Sequence, residues 1–356
     1  MAAGRRPPGA GCQPDAVRLA TFDGHNDVLS RLHGAPGDPV RRFVDGDGEG
    51  HVDLPRAEAG GLAGGCFAVF PCSPFRGAED PQTADYRAPV ARERALAEVL
   101  GQAALLLRIE RAAGGRLRLA RVAPDLDGPG VAAVLHLEGA EPIDPGLEAL
   151  DVLHAAGLRS LGLVWSRPNA FATGVSFSFP GTPDEGPGLT ERGRALVRAC
   201  AERGIVLDLS HLNERGFWDV AALEHGALVA SHSGAHALCP SPRNLTDEQL
   251  RAIAASGGLV GINFHVGFVR ADGAEDPDTP LGAIAAHAAH VAEIAGVEAV
   301  ALGSDFDGAT MPQALPDVAA LPRLHAALAE AGFARAELEL IARGNWRRVL
   351  ERTWTT

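Results

Sequence analysis

Short apolar runs alternate with amphipathic stretches along most of the chain. After residues 1–15, which we expect to form a disordered lead, eight such runs read as strands. They cover residues 17–25, 64–72, 131–139, 160–166, 205–211, 228–233, 259–264 and 299–308. Each run is nearly continuous in its apolar character, which is typical of strands buried on both faces. The pattern therefore predicts an α/β protein built on a parallel sheet.

Helical stretches separate most of these strands, while residues 33–56 are predicted to form a long loop. The helices are expected at about 83–113, 145–157, 190–203, 213–225, 246–256 and 281–295. Eight strand–helix units favour a closed (β/α)8 TIM-type barrel in one domain over residues 16–356, although a doubly wound sheet would show similar units. The segment Glu337–Trp354 is predicted to be an amphipathic tail helix that packs beneath the barrel.

The amino-acid composition argues against several classes of function. The 356 residues are 46% hydrophobic and 22% charged, as in ordinary globular proteins, and the net charge of -13 argues against nucleic-acid binding. All 32 basic residues are arginine, so the chain has no lysine for a Schiff base, a P-loop or a carboxylated-lysine metal bridge. The N-terminal sequence lacks the apolar core of a signal peptide, and no run approaches the ~18 apolar residues of a membrane span. We therefore expect a cytoplasmic protein without a membrane anchor.

Polar side chains lie where the predicted strands end. In chain order they are His25 and Asp27, Glu138, Trp165, His211, His232 and Asp305. The C-terminal ends of the strands of such a barrel meet at one face, which carries the chemistry of the fold. Histidines are only 13 of the 356 residues, yet three of these positions carry one. Any one of them could be a core histidine with satisfied hydrogen bonds, but their agreement predicts a metal site.

The residue types divide into two sets of metal ligands. One divalent ion can take His25, Asp27 and one oxygen of Glu138. A second ion can take the other Glu138 oxygen together with His211 and His232. A bridging carboxylate holds two metals about 3.5–4 Å apart, and a water shared between them becomes a hydroxide near neutral pH. The sets therefore predict a binuclear hydrolase.

Asp305 stands on the last predicted strand, in the segment GSDFDG. A carboxylate close to a metal-bound water can take the proton of the nucleophile and return it to a leaving amine. Asp305 is therefore predicted to be the group that transfers the proton.

Five segments carry a resemblance to a known family: FDGHNDVL, HLEGAE, DLSHLNERGFWDV, ASHSGAHALCPSPRNLTDEQL and GSDFDG. In this order they resemble the membrane (renal) dipeptidase family of binuclear zinc metallopeptidases, whose fold is similar to that of the amidohydrolases. The resemblance implies a zinc-dependent dipeptidase that hydrolyses small dipeptides with free termini. Acceptance of L-Xaa-D-Xaa dipeptides stays open, and the family makes a homodimer plausible.

The resemblance also implies a role for each matched residue. It implies two zinc ions, bridged by Glu138 and a water or hydroxide, whose other ligands are His25, Asp27, His211 and His232. It implies proton transfer by Asp305. It further implies that Arg243 binds the C-terminal carboxylate of the substrate, in keeping with the bidentate fit of guanidinium to carboxylate.

One position departs from the family pattern. Well-known members carry a histidine, thought to contact the carbonyl or tetrahedral oxygen, at the end of the strand predicted here over 160–166. This chain has Trp165, whose indole can donate one hydrogen bond but cannot be charged. The departure bears on substrate preference more than on reaction class. His265 follows the strand at 259–264, where the family lines its substrate pocket; a pocket role and a surface position are both open.

Two other functions fit parts of the pattern. Another metal-dependent amidohydrolase, acting on a non-peptide or cyclic amide, would usually show His-x-His on the first strand and often a carboxylated lysine. Asp27 and the lack of lysine count against it. A non-catalytic binding protein on the same barrel is disfavoured by the intact ligand set and by Asp305. We expect a dipeptide substrate and no nucleic-acid partner.

Overall fold

The computed structural model describes residues 18–72, 86–223 and 225–354. Within them nine strands form one parallel sheet, and eight of these close into a barrel. The strands are β1 Thr21–Asn26, β2 Leu62–Val69, β3 Leu117–Leu119, β4 Val131–Glu138, β5 Leu158–Gly162, β6 Val206–Asp208, β7 Val229–Ser233, β8 Leu259–Ile262 and β9 Val300–Leu302. The predicted (β/α)8 fold is confirmed, and the alternative of an open doubly wound sheet is wrong. The lead predicted over residues 1–15 lies outside the described residues.

The barrel closes through β4. This strand pairs with β2 from Gly64 opposite Ala132 to Val69 opposite Leu137, while β1 pairs with both β2 and β9. The sequence pattern missed β3, which pairs with the start of β4, whereas β5 pairs with the later part of β4. A strand of three residues is too short to show a periodicity of its own.

Helices cover the outside of the barrel. They are α1 Val28–His33, α2 Pro39–Val44, α3 Leu54–Gly60, α4 Arg92–Ala112, α5 Glu148–Ala156, α6 Glu191–Glu202, α7 Glu214–Ala221, α8 Asp247–Ala255, α9 Val266–Val269, α10 Leu281–Ala295, α11 Leu321–Glu330, α12 Arg335–Glu339 and α13 Asn345–Thr353. Short turns of 3-10 helix cover Ala123–Asp127, Val297–Ala299 and Val318–Ala320, and a π-helical turn covers Leu340–Gly344. In the described parts of the chain, each helix is too short or too polar to cross a lipid bilayer.

The loop expected over residues 33–56 contains helical structure. Helix α2 lies inside it, and α3 begins before it ends. Asp38 and Asp53 accept hydrogen bonds from backbone N–H groups in the first turns of these helices, and a proline follows each within two residues. An aspartate N-cap followed by proline is a helix-start signal, and here it outweighed the glycine-rich composition.

Three of the strands that end earlier than the apolar runs predicted are followed by predicted site residues. They are those predicted over 160–166, 205–211 and 299–308, which end at Gly162, Asp208 and Leu302. Beyond two of these ends the backbone becomes left-handed, at His211 (φ 65°) and Asp305 (φ 62°). A strand cannot contain that conformation. These side chains therefore lie on tight turns immediately after the strands.

The C-terminal helix α13 packs against the N-terminal end of the barrel. Trp346 is 1% exposed, its ring lies 5.4 Å from that of Phe22, and its indole N–H donates to the carbonyl of Leu302 at 3.0 Å. The same cluster contains residues from other strands: Ala132, Val134, Val206, Val229, Leu259 and Ala301. Gly24 makes room for the indole, because a Cβ there would lie 2.6 Å from Trp346 Cζ2. The tail thus supports the strands from the side opposite their C-terminal ends.

Replacing Trp346 by alanine is expected to lower the free energy of unfolding by about 3–5 kcal/mol, because it leaves a cavity where several strands converge. Urea titration followed by circular dichroism measures the change. Arg347→Ala on the same helix is the control: this side chain is 44% exposed in ion pairs with Asp127 and Glu351. Its loss should cost less than about 1 kcal/mol. Equal losses in the two variants would contradict a supporting role for the indole.

Candidate metal centre

Six of the predicted site residues converge at the C-terminal end of the barrel. They are His25 on β1, Asp27 directly after it, Glu138 at the end of β4, His211 beyond β6, His232 on β7 and Asp305 beyond β9. All but Asp305 are buried. Their potential ligand atoms form overlapping groups of three in which every atom lies within 4.8 Å of the others. The barrel thus brings together residues that are far apart in the chain.

Glu138 lies at the centre of this cluster, and its two oxygens face different partners. Its Oε2 is 3.7 Å from His25 Nε2, which in turn is 3.4 Å from Asp27 Oδ2. Its Oε1 is 3.1 Å from His211 Nε2 and 3.6 Å from His232 Nε2. One carboxylate therefore joins two sets of potential ligands, which are the two sets that the residue types predicted.

Serine hydroxyls orient two of the imidazole rings. His232 Nδ1 is 2.8 Å from Ser231 Oγ, and His211 Nδ1 is 2.8 Å from Ser166 Oγ. The Nε2 atoms of the two rings consequently point at each other, 3.1 Å apart. Both ring nitrogens of the fully buried His25 lack a hydrogen-bond partner among the described residues. Rings held through one nitrogen, with the other directed to a common point, are typical of metal ligands.

The electrostatics of the cluster favour a cation at its centre. Burial raises the pKa of Glu138 to about 8. Burial alone would lower the pKa of His25, but the carboxylates around it, with Glu138 the strongest, raise that pKa to about 10. Burial lowers the pKa of His211 and of His232 well below the usual range, so both rings are neutral and able to bind a metal. Buried carboxylates and neutral imidazoles fit a divalent ion such as zinc.

Two buried carboxylates that sequence analysis missed hold the strand ends in place. Asp208 accepts hydrogen bonds from the backbone N–H of Ser231 at 2.8 Å and from its hydroxyl at 2.6 Å. Asp23 accepts from the backbone N–H of Ser304 at 2.7 Å and from its hydroxyl at 2.8 Å. Asp23 lies two residues before His25 on the same strand. Because strand residues two apart point to the same face, the sequence could have identified Asp23 as a neighbour of the site. The contacts across strands left no sequence signal.

Asp305 lies beside the cluster in a constrained conformation. Its backbone is left-handed, with φ 62°, and its N–H donates to the carbonyl of His25 at 3.0 Å. Its Oδ2 accepts from the Asn263 side-chain amide at 2.9 Å. A ligand atom of Asp305 lies within 4.8 Å of those of His25 and His232. A left-handed non-glycine residue fixed from two sides is typical of a functional position.

Arg243 follows β7 in the loop that leads to α8. Its side chain is almost fully buried, and its Nη2 donates to the carbonyl of His232 at 3.1 Å. The buried Nε and Nη1 have no hydrogen-bond partner among the described residues. Burial lowers the pKa of this guanidinium. A buried cation with two unused donor nitrogens beside a potential metal centre fits a carboxylate ligand.

Trp165 is half-buried beyond the end of β5. Its ring centroid is 5.9 Å from that of His211 and 5.3 Å from that of Phe177. Trp165 therefore contacts the cluster directly, although its indole can donate only one hydrogen bond and cannot be charged.

His265 is 8% exposed, so it is not a surface histidine. Its Nε2 is 2.8 Å from Glu275 Oε1, and its ring packs edge-on against Phe268, with 4.4 Å between centroids. Burial acts to lower its pKa, but the pair with Glu275 and other nearby acceptors outweigh this and raise the pKa. The sequence could not predict this pairing, since Glu275 comes from a loop without a motif.

Comparison with known proteins places this chain in a family. A family model described as membrane dipeptidase (Peptidase family M19) matches residues 16–356. A solved structure of a metallo peptidase from Rhodobacter sphaeroides, liganded with a phosphinate mimic of the dipeptide L-Ala-D-Ala, is 45% identical with a TM-score of 0.90. The match covers 95% of this chain and 100% of that one.

Two further proteins are similar to this chain. The structure of dipeptidase AC, a metallo peptidase of family M19, is 45% identical with a TM-score of 0.89 and the same coverage of 95% and 100%. A Klebsiella pneumoniae protein described only as an uncharacterized protein in the pqqA 5′ region is 48% identical. That alignment covers 257 residues, 71% of this chain and 95% of the relative.

Replacing Asp208 by asparagine is expected to lower the free energy of unfolding by about 3 kcal/mol, because the buried network around Ser231 loses the negative charge and one of its two acceptor oxygens. Urea titration of both proteins measures the change. Asp151→Asn is the matched control, since its carboxylate pairs with Arg203 at the surface and is 62% exposed. That change should cost less than about 1 kcal/mol. A loss for Asp208→Asn no larger than the control would show that the network does not stabilise the strand ends.

Proposed function

This chain belongs to the membrane dipeptidase family, and from that premise we propose that it hydrolyses dipeptides with free termini at the cluster around Glu138. The protein is a metal-dependent dipeptidase, as family membership and 45% identity to dipeptidase structures establish. The observation that carries the proposal is the position of Glu138, whose two oxygens face two separate sets of potential ligands.

We propose that the cluster binds two zinc ions. His25 and Asp27 would hold one, His211 and His232 the other, and Glu138 would bridge them. Bound zinc supplies a Lewis acid for the peptide carbonyl and lowers the pKa of a shared water. The chain itself supplies the orientation: serine hydroxyls fix two of the rings, as their 2.8 Å contacts to Nδ1 show.

Asp305 is proposed to move the proton. Asn263 holds one of its oxygens at 2.9 Å and so fixes the carboxylate beside the cluster. Asp305 takes a proton from the water that attacks the peptide carbonyl. It returns that proton to the amine nitrogen as the C–N bond breaks. The same carboxylate therefore accepts the proton of the water and returns it to the leaving amine.

Arg243 is proposed to bind the C-terminal carboxylate of the substrate. Its Nε and Nη1 have no partner among the described residues, and each shares one edge of the guanidinium with Nη2, so both edges keep an N–H donor for a carboxylate. A buried guanidinium discriminates strongly, because a neutral substrate end would leave its charge unpaired. We further propose that L-Xaa-D-Xaa dipeptides are accepted, as the L-Ala-D-Ala mimic bound by the Rhodobacter sphaeroides relative suggests.

The cytoplasmic location and the homodimer stay predictions. Cell fractionation would check the first, and light scattering of the purified protein would check the second.

The first test is release of amino acids from L-Ala-L-Ala and L-Ala-D-Ala by the zinc-loaded protein. We expect cleavage that disappears on chelation and returns with zinc, with about two zinc ions bound per chain by elemental analysis. Amidation of the dipeptide C-terminus should lower kcat/KM by at least about 100-fold, because it removes the anionic partner of a buried guanidinium.

Arg243→Ala is the matched variant for this test. It should lower kcat/KM for the free dipeptide and remove most of the difference between free and amidated substrates. If amidation has the same effect on both proteins, another group binds the carboxylate. If the zinc-loaded protein cleaves no dipeptide, the substrate class is wrong.

Asp305→Asn should lower kcat by about 10²- to 10⁴-fold while zinc content stays unchanged, because asparagine cannot accept the proton. Steady-state kinetics and elemental analysis on the same preparations give both values. Asp219→Asn, at a carboxylate on α7 that pairs with Arg194, controls for a generic effect of removing a carboxylate. Loss of zinc together with activity would identify Asp305 as a ligand, and full turnover would exclude it from catalysis.

A further inference from the structure

Five aromatic side chains form one partly exposed surface beside the metal centre, which we call the aromatic wall: Phe70, Tyr86, Trp165, Phe177 and Phe268. Ring centroids of Phe70, Tyr86 and Phe177 lie 5.3, 5.9 and 5.3 Å from that of Trp165. Phe177 stacks on Phe268 at 6.1 Å. Aromatic residues are only 5% of the chain, and its single tyrosine is in this wall. Such a concentration of half-buried rings at a site is typical of a surface that binds apolar groups.

The wall extends from Arg243 to the metal cluster. At one end the guanidinium of Arg243 lies over the ring of Phe268, 5.4 Å from its centroid. At the other end Trp165 and Phe177 lie 5.9 and 6.3 Å from the ring of His211. A dipeptide with its carboxylate on Arg243 and its scissile carbonyl at the cluster places its C-terminal residue between these two ends. The side chain of that residue would lie against the wall.

The wall is also held rigidly. The guanidinium of Arg167 lies 5.2 Å from the ring centroids of both Phe70 and Trp165. The hydroxyl of Tyr86 accepts a hydrogen bond from the backbone N–H of Phe177 at 3.0 Å. Rings fixed in this way lose little conformational entropy when a ligand packs on them.

The charged groups around the wall are already paired with carboxylates. The pairs are Arg87 with Glu185, Arg167 with Glu141, and His265 with Glu275. Arg243 keeps two nitrogens for an anion, and the substrate carboxylate would occupy them. An acidic side chain on the C-terminal residue would compete with these pairs and would meet ring faces, whose quadrupole is negative. An apolar or aromatic side chain would gain contact area at no such cost.

We infer that the aromatic wall binds the side chain of the C-terminal residue of the dipeptide and selects large apolar and aromatic residues there. This inference rests on the proposed function, since it takes Arg243 as the carboxylate anchor. It assigns Trp165, the residue that departs from the family pattern, a role in specificity.

The test compares kcat/KM for Ala-Ala, Ala-Leu, Ala-Phe, Ala-Asp and the reversed Phe-Ala, with the C-terminal stereochemistry that the zinc-loaded enzyme accepts. We expect Ala-Phe and Ala-Leu to exceed Ala-Ala by about 10-fold or more, mainly through KM, and Ala-Asp to fall below it. Phe-Ala should show no comparable gain. Calorimetric Kd values on zinc-loaded Asp305→Asn protein should give the same order without turnover.

Trp165→Ala and Phe177→Ala should each reduce the ratio of Ala-Phe to Ala-Ala to within about twofold. Phe177 is 38% exposed, so its variant tests the wall even if the tryptophan variant fails to fold. Trp218→Ala is the matched control, because Trp218 is 39% exposed on the outer helix α7 and should leave the ratio unchanged.

Three results would overturn the inference. Cleavage of every dipeptide at similar kcat/KM would remove the wall's role and leave the proposed function standing. A preference that follows the N-terminal residue instead would assign the wall to the other side chain. Absence of dipeptide cleavage by the zinc-loaded enzyme would overturn the inference and the proposed function together.

Discussion

A single buried carboxylate sets the requirements for the rest of the site. Glu138 is 3% exposed, and burial raises its pKa to about 8. A carboxylate removed from water must be paired or bound to a metal, or it destabilises the fold. Because its two oxygens face different histidines, the carboxylate needs hydrogen-bonding or metal partners on two sides. Only strands that converge from distant parts of the chain can present those partners.

The barrel meets this demand by fixing both ends of its strands. From the side of the C-terminal helix, Trp346 packs against several strands, and its indole N–H donates to the carbonyl of Leu302 on β9. On the other side the chain leaves β6 and β9 through the left-handed residues His211 and Asp305. Each such residue costs of order 1–3 kcal/mol unless the surroundings hold it in place. Hydrogen bonds from neighbouring strands and loops, such as that from Asn263 to Asp305, offset this cost.

The strands and the cluster could be predicted because both leave local signals. Eight apolar runs are visible in the sequence, and most of them end at or next to a His, Asp or Glu, which predicts that these side chains share one edge. The network around Asp208 could not be predicted, since its bonds to Ser231 depend on which strands become neighbours. Arg243 could be identified only by resemblance, because no pattern near it tells a buried guanidinium from an exposed one. The strand β3 is too short to show a period.

The residues that the sequence could predict and those that it could not lie in different parts of the site. The candidate ligands lie on strands or on the turns next to them, where pairing and burial dictate their positions. The aromatic wall comes largely from segments beyond the strands, which can change without moving the barrel. Trp165 links the aromatic wall to the candidate ligands, because its ring packs against both Phe177 and His211. A substitution there changes the surface that meets the substrate and, through the same contact, the packing that holds an imidazole in place. The residue that departs from the family pattern therefore lies where substrate recognition and ligand orientation are coupled.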